Sequence, residues 1–469
     1  MGDLRRTRAA DGRRRRAGRR RGARTALSGS RTTAASGGRG YLQLLREEKD
    51  FRRVYISQII SLGGDWFALI PLLTLLGRLT DGGLWGGLVL AVDTAVFALL
   101  APYAGTVADR FDRRRTMVIA DFASAAMVLL LLLVRSESTA WIALVAIAGV
   151  AVAKSFFTPA SSAALPNIVP PEDLARATVL GGAVWGTMLA VGAAAGGLVA
   201  LLVGARWCFA LDAVSFVVSG VLVMRTTKPF SQEREKTARV SVRADVRETI
   251  EYARGEPRVR ALLACKFGVA LGNGTLALFP LYATRVFSAG DLGTGLLYSA
   301  RGFGALIGPF FMRRFITRDP ALLWPVLASS IAMFGLSYLG FAVAPVFALG
   351  FLAVALAHFG GGANWVLSTY GLQAMVPDHV RGRVFSADYM LATLAISVSQ
   401  IVAGVLSESV AVRTISAGLG AVVLGYAVGW WALVRPARRS GRLDLPADAG
   451  SEPSGASPTD SVESRREGV

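Results

Sequence analysis

The sequence predicts an all-α integral membrane protein of twelve transmembrane helices in two six-helix halves, and three observations carry that expectation. The first is composition: 53% of the 469 residues are hydrophobic, 18% are charged and 52 are glycine, a make-up outside the range of soluble globular domains. The second is a series of twelve apolar runs of about twenty residues, the length that crosses a ~30 Å hydrocarbon core. The third is an internal repeat. The net charge of +19 falls between the apolar runs and in the N-terminal tail, which argues for membrane topology and against a nucleic-acid partner.

In order, the runs cover 55–77, 84–107, 116–134, 140–164, 178–202, 207–225, 261–284, 292–312, 321–343, 345–374, 384–406 and 412–434. Basic residues sort the loops between them. Arg110, Arg113–Arg115, Arg176, the stretch 225–260, Arg313, Arg314, Arg318, Arg381, Arg383 and Arg435–Arg439 fall on one side, while the other side carries little beyond Arg78, Arg135, Arg206, Arg285 and Arg413. Excess positive charge marks cytoplasmic loops, so both termini are expected in the cytoplasm of a multi-pass cell-membrane protein.

The repeat is read from short matched segments. Ala68-Leu-Ile-Pro71-Leu returns as Ala277-Leu-Phe-Pro280-Leu; Val169-Pro170 with Arg176 returns as Val376-Pro377 with Arg383; Gly105 with Arg110 returns as Gly308 with Arg313. The offsets of 209, 207 and 203 residues define one six-helix unit used twice in parallel, the plan of a transporter with its site between the halves. The expected organisation is an arginine-rich disordered tail over 1–44, a first bundle over 45–225, a cytoplasmic linker over 226–260, a second bundle over 261–436 and a disordered tail over 437–469. Within the linker, Val242, Val246, Ile250 and Ala253 recur at helical spacing beside charged residues, which predicts an amphipathic helix on the membrane surface. Thirteen arginines in residues 1–40, with no aromatic residue before Tyr41, suit contact with anionic lipid better than base stacking.

Between the second and third runs stands Gly105-Thr-Val-Ala-Asp109-Arg110-Phe-Asp-Arg113-Arg114-Arg115, a tight charged turn. It resembles the signature loop between helices 2 and 3 of the major facilitator superfamily (MFS). That resemblance implies the MFS fold, and it implies a gating role for Gly105, Asp109, Arg110, Arg113 and Arg114. The second half has Met312 where the first has Asp109, so the acidic lock is one-sided. The linker text from Asp245 to Leu263, Phe157-Thr-Pro159-Ala160, Leu165-Pro-Asn-Ile-Val-Pro170 and Ala210-Leu-Asp212-Ala-Val-Ser-Phe216 resemble the drug:proton antiporter branch, with its macrolide-efflux and enterobactin-exporter-like proteins. Helix 5 reads Gly192-Ala-Ala-Ala-Gly196-Gly197 and lacks the Gly-Pro pair of many proton-driven exporters, although its glycines still permit close packing.

Ionisable side chains inside the runs are where mechanism would reside, because a charge there costs at least ~2.5–3.5 kcal/mol and persists only when paired, hydrated or used. Asp65 is the first candidate for proton coupling, with Gly63 and Gly64 expected to loosen its helix, and Asp93 is the second. For each acid, a structural ion pair with Lys154 or Arg301 is an equal alternative. Lys154, Lys266, Arg301, His358, Asn364 and Gln373 complete the set of cavity or ion-pair candidates. For His358, among Phe359 and three glycines, packing is the plainer role. Cys208 and Cys265 lie in different runs without metal-ligand spacing and read as packing residues, so no metal site is expected. No nucleotide-binding loop and no catalytic constellation are visible, so neither a cofactor nor an enzyme is expected. The expected function is proton-coupled efflux of an amphipathic small molecule (drug, macrolide or siderophore-like) by rocker-switch alternating access, with the substrate, protons and membrane lipids as partners of a monomer. MFS uptake or facilitated diffusion, and a non-transporting receptor or scaffold, are the alternatives.

Overall fold

The computed structural model describes residues 40–230, 251–441 and 443. Most of both expected tails and most of the expected amphipathic linker helix, with Val242, Val246 and Ile250, lie outside the described residues. Tyr41–Glu47 forms a short helix of its own, so residues 41–44 are helical rather than part of a structureless tail.

Twelve long helical segments follow among the described residues: α1 (Lys49–Leu79), α2 (Leu84–Arg110), α3 (Arg113–Leu130), α4 (Trp141–Ile168), α5 (Leu174–Val203), α6 (Ala205–Met224), α7 (Pro257–Gly272, continued to Val286), α8 (Gly290–Arg318), α9 (Leu323–Val343), α10 (Phe347–Met375), α11 (Asp378–Leu406) and α12 (Val412–Arg439). Ten of them are long and apolar enough to cross a membrane, and the apolar part of α2 is the shorter stretch Leu84–Leu100. The twelfth, α8, is 29 residues long but carries Asp291, Arg301, Arg313, Arg314 and Arg318, which lowers its hydropathy without shortening it. Helix starts and ends shift from the expected spans where local chemistry dictates. Asp112 accepts a hydrogen bond from the Arg115 amide at 2.8 Å and caps the start of α3, satisfying a free helix-end donor. Helix α7 begins at Pro257, inside the expected linker, because proline suits a helix's first turn. It then passes through a tighter 3-10 turn at Asn273–Leu278 and a wider π turn at Tyr282–Val286, on either side of Pro280.

Two bundles result. In the first, α1 packs on α5 and α6, and α4 on α2 and α3; in the second, α10 packs on α8 and α9, and α9 on α12. The bundles meet along two seams, α2 with α11 and α5 with α8. Glycine makes the seams close. A methyl group added at Gly87 would stand 2.7 Å from the Gln400 carbonyl oxygen, and one at Gly197 2.6 Å from that of Asp291. Gly63 and Gly64 do not loosen α1, which runs unbroken through both and through Pro71. Their missing side chains instead admit α5 and α6: a Cβ at Gly64 would lie 2.3 Å from both Asp212 Oδ1 and Ser215 Oγ.

Candidate functional site

The helix end that carries the α1–α2, α7–α8 and α11–α12 loops, called distal here, ties the two halves together. Arg78 at the end of α1 pairs with Asp291 at the start of α8 at 2.7 Å. Arg285 pairs with Asp81 at 2.5 Å, the Gly83 amide donates to Ser407 Oγ at 3.0 Å and the Leu84 amide to Glu408 Oε1 at 3.1 Å. At the opposite, proximal end, Gly181 and Gly182 of α5 and Gly382 of α11 have, among the described residues, no neighbouring atoms within reach of an added methyl group. The described contacts between the halves thus include a cluster of polar ties at the distal end.

The charged turn lies at the proximal end. The side chains of Gly105, Asp109 and Arg110 lie outside the described residues. Arg113 is buried and donates to the carbonyls of Ala163 at 2.7 Å and Phe230 at 3.1 Å. Arg114 donates to the Lys228 carbonyl at 2.5 Å and lies over the Phe230 ring. Asp50 accepts from the Thr227 and Lys228 amides, and Lys228 pairs with Glu48 at 2.7 Å. In this conformation the two arginines strap the start of the linker to their own half.

Between the two ends lie the intramembrane charges. In the first half Lys154 of α4 pairs with Asp65 of α1 at 2.8 Å, with side chains 26% and 11% exposed, so protein atoms do not enclose the pair completely. Asp93 and Asp212 lie within electrostatic range of the same ammonium. Asp212 lines a crevice of about 280 Å³ with Gly63, Gly64, Met188, Gly192 and Ser215. Asp121 is buried on α3 and accepts from Ser219 of α6 at 2.7 Å. In the second half Lys266 of α7 pairs with Asp388 of α11, and here both side chains are sealed, at 1% and 4% exposed. Lys266 also donates to Thr369 at 3.0 Å and lies 4.8 Å from the Trp365 ring centre, so Trp365 packs this pair.

The remaining candidates separate. His358 is buried and its Nε2 lies 2.9 Å from the Tyr338 hydroxyl, with the Phe334 ring edge-on. Asn364 is buried and neither of its amide atoms finds a hydrogen-bond partner among the described residues. Gln373 is exposed near the proximal end of α10. Arg301 of α8 stands beside the rings of Trp66 and Trp185 of the first half, 5.5 and 5.8 Å from their centres, which are themselves 6.3 Å apart. Both cysteines are buried free thiols. Sequence reasoning misses Asp121, Asp212 and Asp388, although each sits inside an apolar run and so carries the same signal as Asp65. It also misses the Arg78–Asp291 tie, because loop charges read as topology until their partners are known.

Comparisons with known proteins agree with this architecture. The model of the Major Facilitator Superfamily matches residues 54–349. A Bacillus subtilis (strain 168) protein named as a bacilysin exporter is 24% identical over 359 residues, 76% of this chain and 88% of its own. Macrolide efflux protein A of Streptococcus pyogenes is 22% identical over 376 residues, 77% of this chain and 90% of its own. Among solved structures, a bacterial homologue of the human lysosomal transporter Spinster superposes with a TM-score of 0.64 at 16% identity, over 86% of this chain and all of that one. The chain belongs to the Major Facilitator Superfamily and is a multi-pass membrane transporter.

Proposed function

We propose that this transporter exports an amphipathic small molecule across the cell membrane in exchange for protons, by rocking its two halves about a midplane site. The observation that carries the coupling is the Asp65–Lys154 pair: a carboxylate and an amine 2.8 Å apart, inside the bilayer span yet partly exposed. Protonating Asp65 releases Lys154, and the freed charge then biases which face of the cavity opens, which is how one proton is linked to one conformational step. Asp93, in range of the same lysine, is the second proton acceptor. Export, rather than uptake, is supported by the relatives named for bacilysin export and macrolide efflux. The basic proximal loops support a cytoplasmic position for that end and both termini, and in that orientation a state tied at its distal end faces inward. Asp109, with Gly105, Arg110, Arg113 and Arg114, forms the gate that closes the proximal end in the outward-facing state, where a carboxylate faces a helix N-terminus or a basic residue of the other half.

The test is efflux of a macrolide from proteoliposomes under an imposed pH gradient. Wild-type protein should move the drug against its gradient, and a protonophore should stop it. Gradient-driven movement that survives Asp65→Asn would remove Asp65 as the carrier, and transport indifferent to the protonophore would remove proton coupling altogether.

A further inference from the structure

Three cations sit deep in the spans, Lys154, Lys266 and Arg301, and two of them have a carboxylate partner. Among the described residues Arg301 has none within ion-pair distance; Trp66 and Trp185, set edge-to-face with ring centres 6.3 Å apart, both lie to one side of it. Its Nε–H is buried without an acceptor, and so is the indole Nε1–H of Trp66 beside it. The hydroxyls in electrostatic range, those of Tyr298 and Tyr338, are engaged elsewhere: Tyr298 donates to the Leu276 carbonyl at 3.0 Å and Tyr338 meets His358. Cation–π attraction to the two rings offsets part of the guanidinium charge but supplies no lone pair, so the two buried N–H groups stay without an acceptor among the described residues.

The position of this group favours a ligand. Arg301 lies on the α5–α8 seam, one residue from Gly302, where an added methyl group would stand 2.6 Å from the Ala190 amide of the other half. The guanidinium belongs to one half and both indoles to the other, so whatever binds its edge is gripped by both halves and feels their rocking. An unpaired guanidinium in a span is costly, and two unmet buried donors add to that cost. A bound carboxylate would answer both, taking Arg301 Nε–H on one oxygen and Trp66 Nε1–H on the other while its apolar body lies along Trp185.

We infer that Arg301, with Trp66, forms an anion subsite between the halves that recognises the carboxylate of an amphipathic substrate. The inference rests on the exporter reading for the term substrate, but not for the site itself. It is tested on the full chain in phosphatidylcholine nanodiscs with dansyl-leucine and its methyl ester, which differ only in the free carboxylate, read by energy transfer from tryptophan against empty nanodiscs. Wild-type protein should bind the acid about tenfold more tightly than the ester, the worth of a charge-assisted hydrogen bond. Arg301→Gln should erase that preference by weakening the acid alone, and Arg301→Lys should keep part of it. Trp66→Phe, which keeps the ring and removes the donor, should weaken the acid without affecting the ester. Equal affinity for acid and ester in the wild type, absence of acid binding, or equal losses for both probes in Arg301→Gln would overturn the subsite and leave Arg301 as a packing residue. Acid-selective binding without efflux would strike the export reading and leave the subsite standing, whereas efflux without acid preference would do the reverse.

Discussion

Two lysine–aspartate pairs sit in corresponding membrane environments, one in each half, and they differ in one physical respect. Asp65–Lys154 is partly exposed, at 11% and 26%, whereas Lys266–Asp388 is sealed, at 4% for Asp388 and 1% for Lys266. An incompletely enclosed pair leaves a route by which a proton can be exchanged, whereas a pair enclosed by protein holds its charges in place and ties helices together. The sealed pair joins α7 to α11 and is packed by Trp365, while the open pair joins α1 to α4, next to other carboxylates. The same two residue types are thus a candidate fastener in one half and a candidate switch in the other.

The largest expected effect comes from breaking the fastener. Lys266→Met leaves the Asp388 carboxylate buried without its counter-ion, which costs about 3–5 kcal/mol when one partner of a buried pair is removed. Thermal unfolding in detergent should show that loss, and Lys266→Met with Asp388→Leu should recover most of it. An unchanged melting temperature in the single variant would mean that the pair is not structural. Breaking the open pair should act on transport instead. Asp65→Asn is expected to cut pH-driven efflux by tenfold or more with little change in melting temperature, since an amide cannot carry the proton; Asp93→Asn should reduce it less. If Asp65→Asn lowered stability as much as Lys266→Met, the distinction between the two pairs would collapse.

Smaller effects concern the two ends of the seam. Asp109→Asn should shift the population toward the inward-facing state, read as longer spin-label distances across the proximal loops; unchanged distances would deny it a gating role. Arg78→Gln should do the opposite, loosening the distal end. Because Arg78 is half-exposed, that tie is worth only ~0–1 kcal/mol, at most about a fivefold change in population. A larger shift would show that the distal tie is coupled to the hydrogen bonds of Ser407 and Glu408.

How much of the site was legible in the sequence differs from residue to residue. Asp65, Asp93, Lys154, Lys266 and Arg301 announce themselves as charges in apolar runs, and the charged turn after Gly105 announces itself by its order of glycine, acid and arginines. Asp388 carries the same signal, but its meaning depends on Lys266, which lies 122 residues earlier. Arg113 and Arg114 show the reverse: the turn's resemblance implies a gating role, but not their partners, the carbonyls of Ala163, Lys228 and Phe230 in their own half and at the start of the linker.

By itself the sequence determined the solvent of this protein, its helical architecture and its two-fold repeat, because hydropathy and span length are properties of contiguous residues. It also fixed which charges must lie at depth. Only the tertiary structure decided which of them meet. Pairing depends on the rotation and height of helices far apart in the chain, and those are set where glycine lets backbones approach, as at Gly64 against α6 and Gly302 against α5. That is why Lys154 meets Asp65, Lys266 meets Asp388, and Arg301 is left beside two indoles.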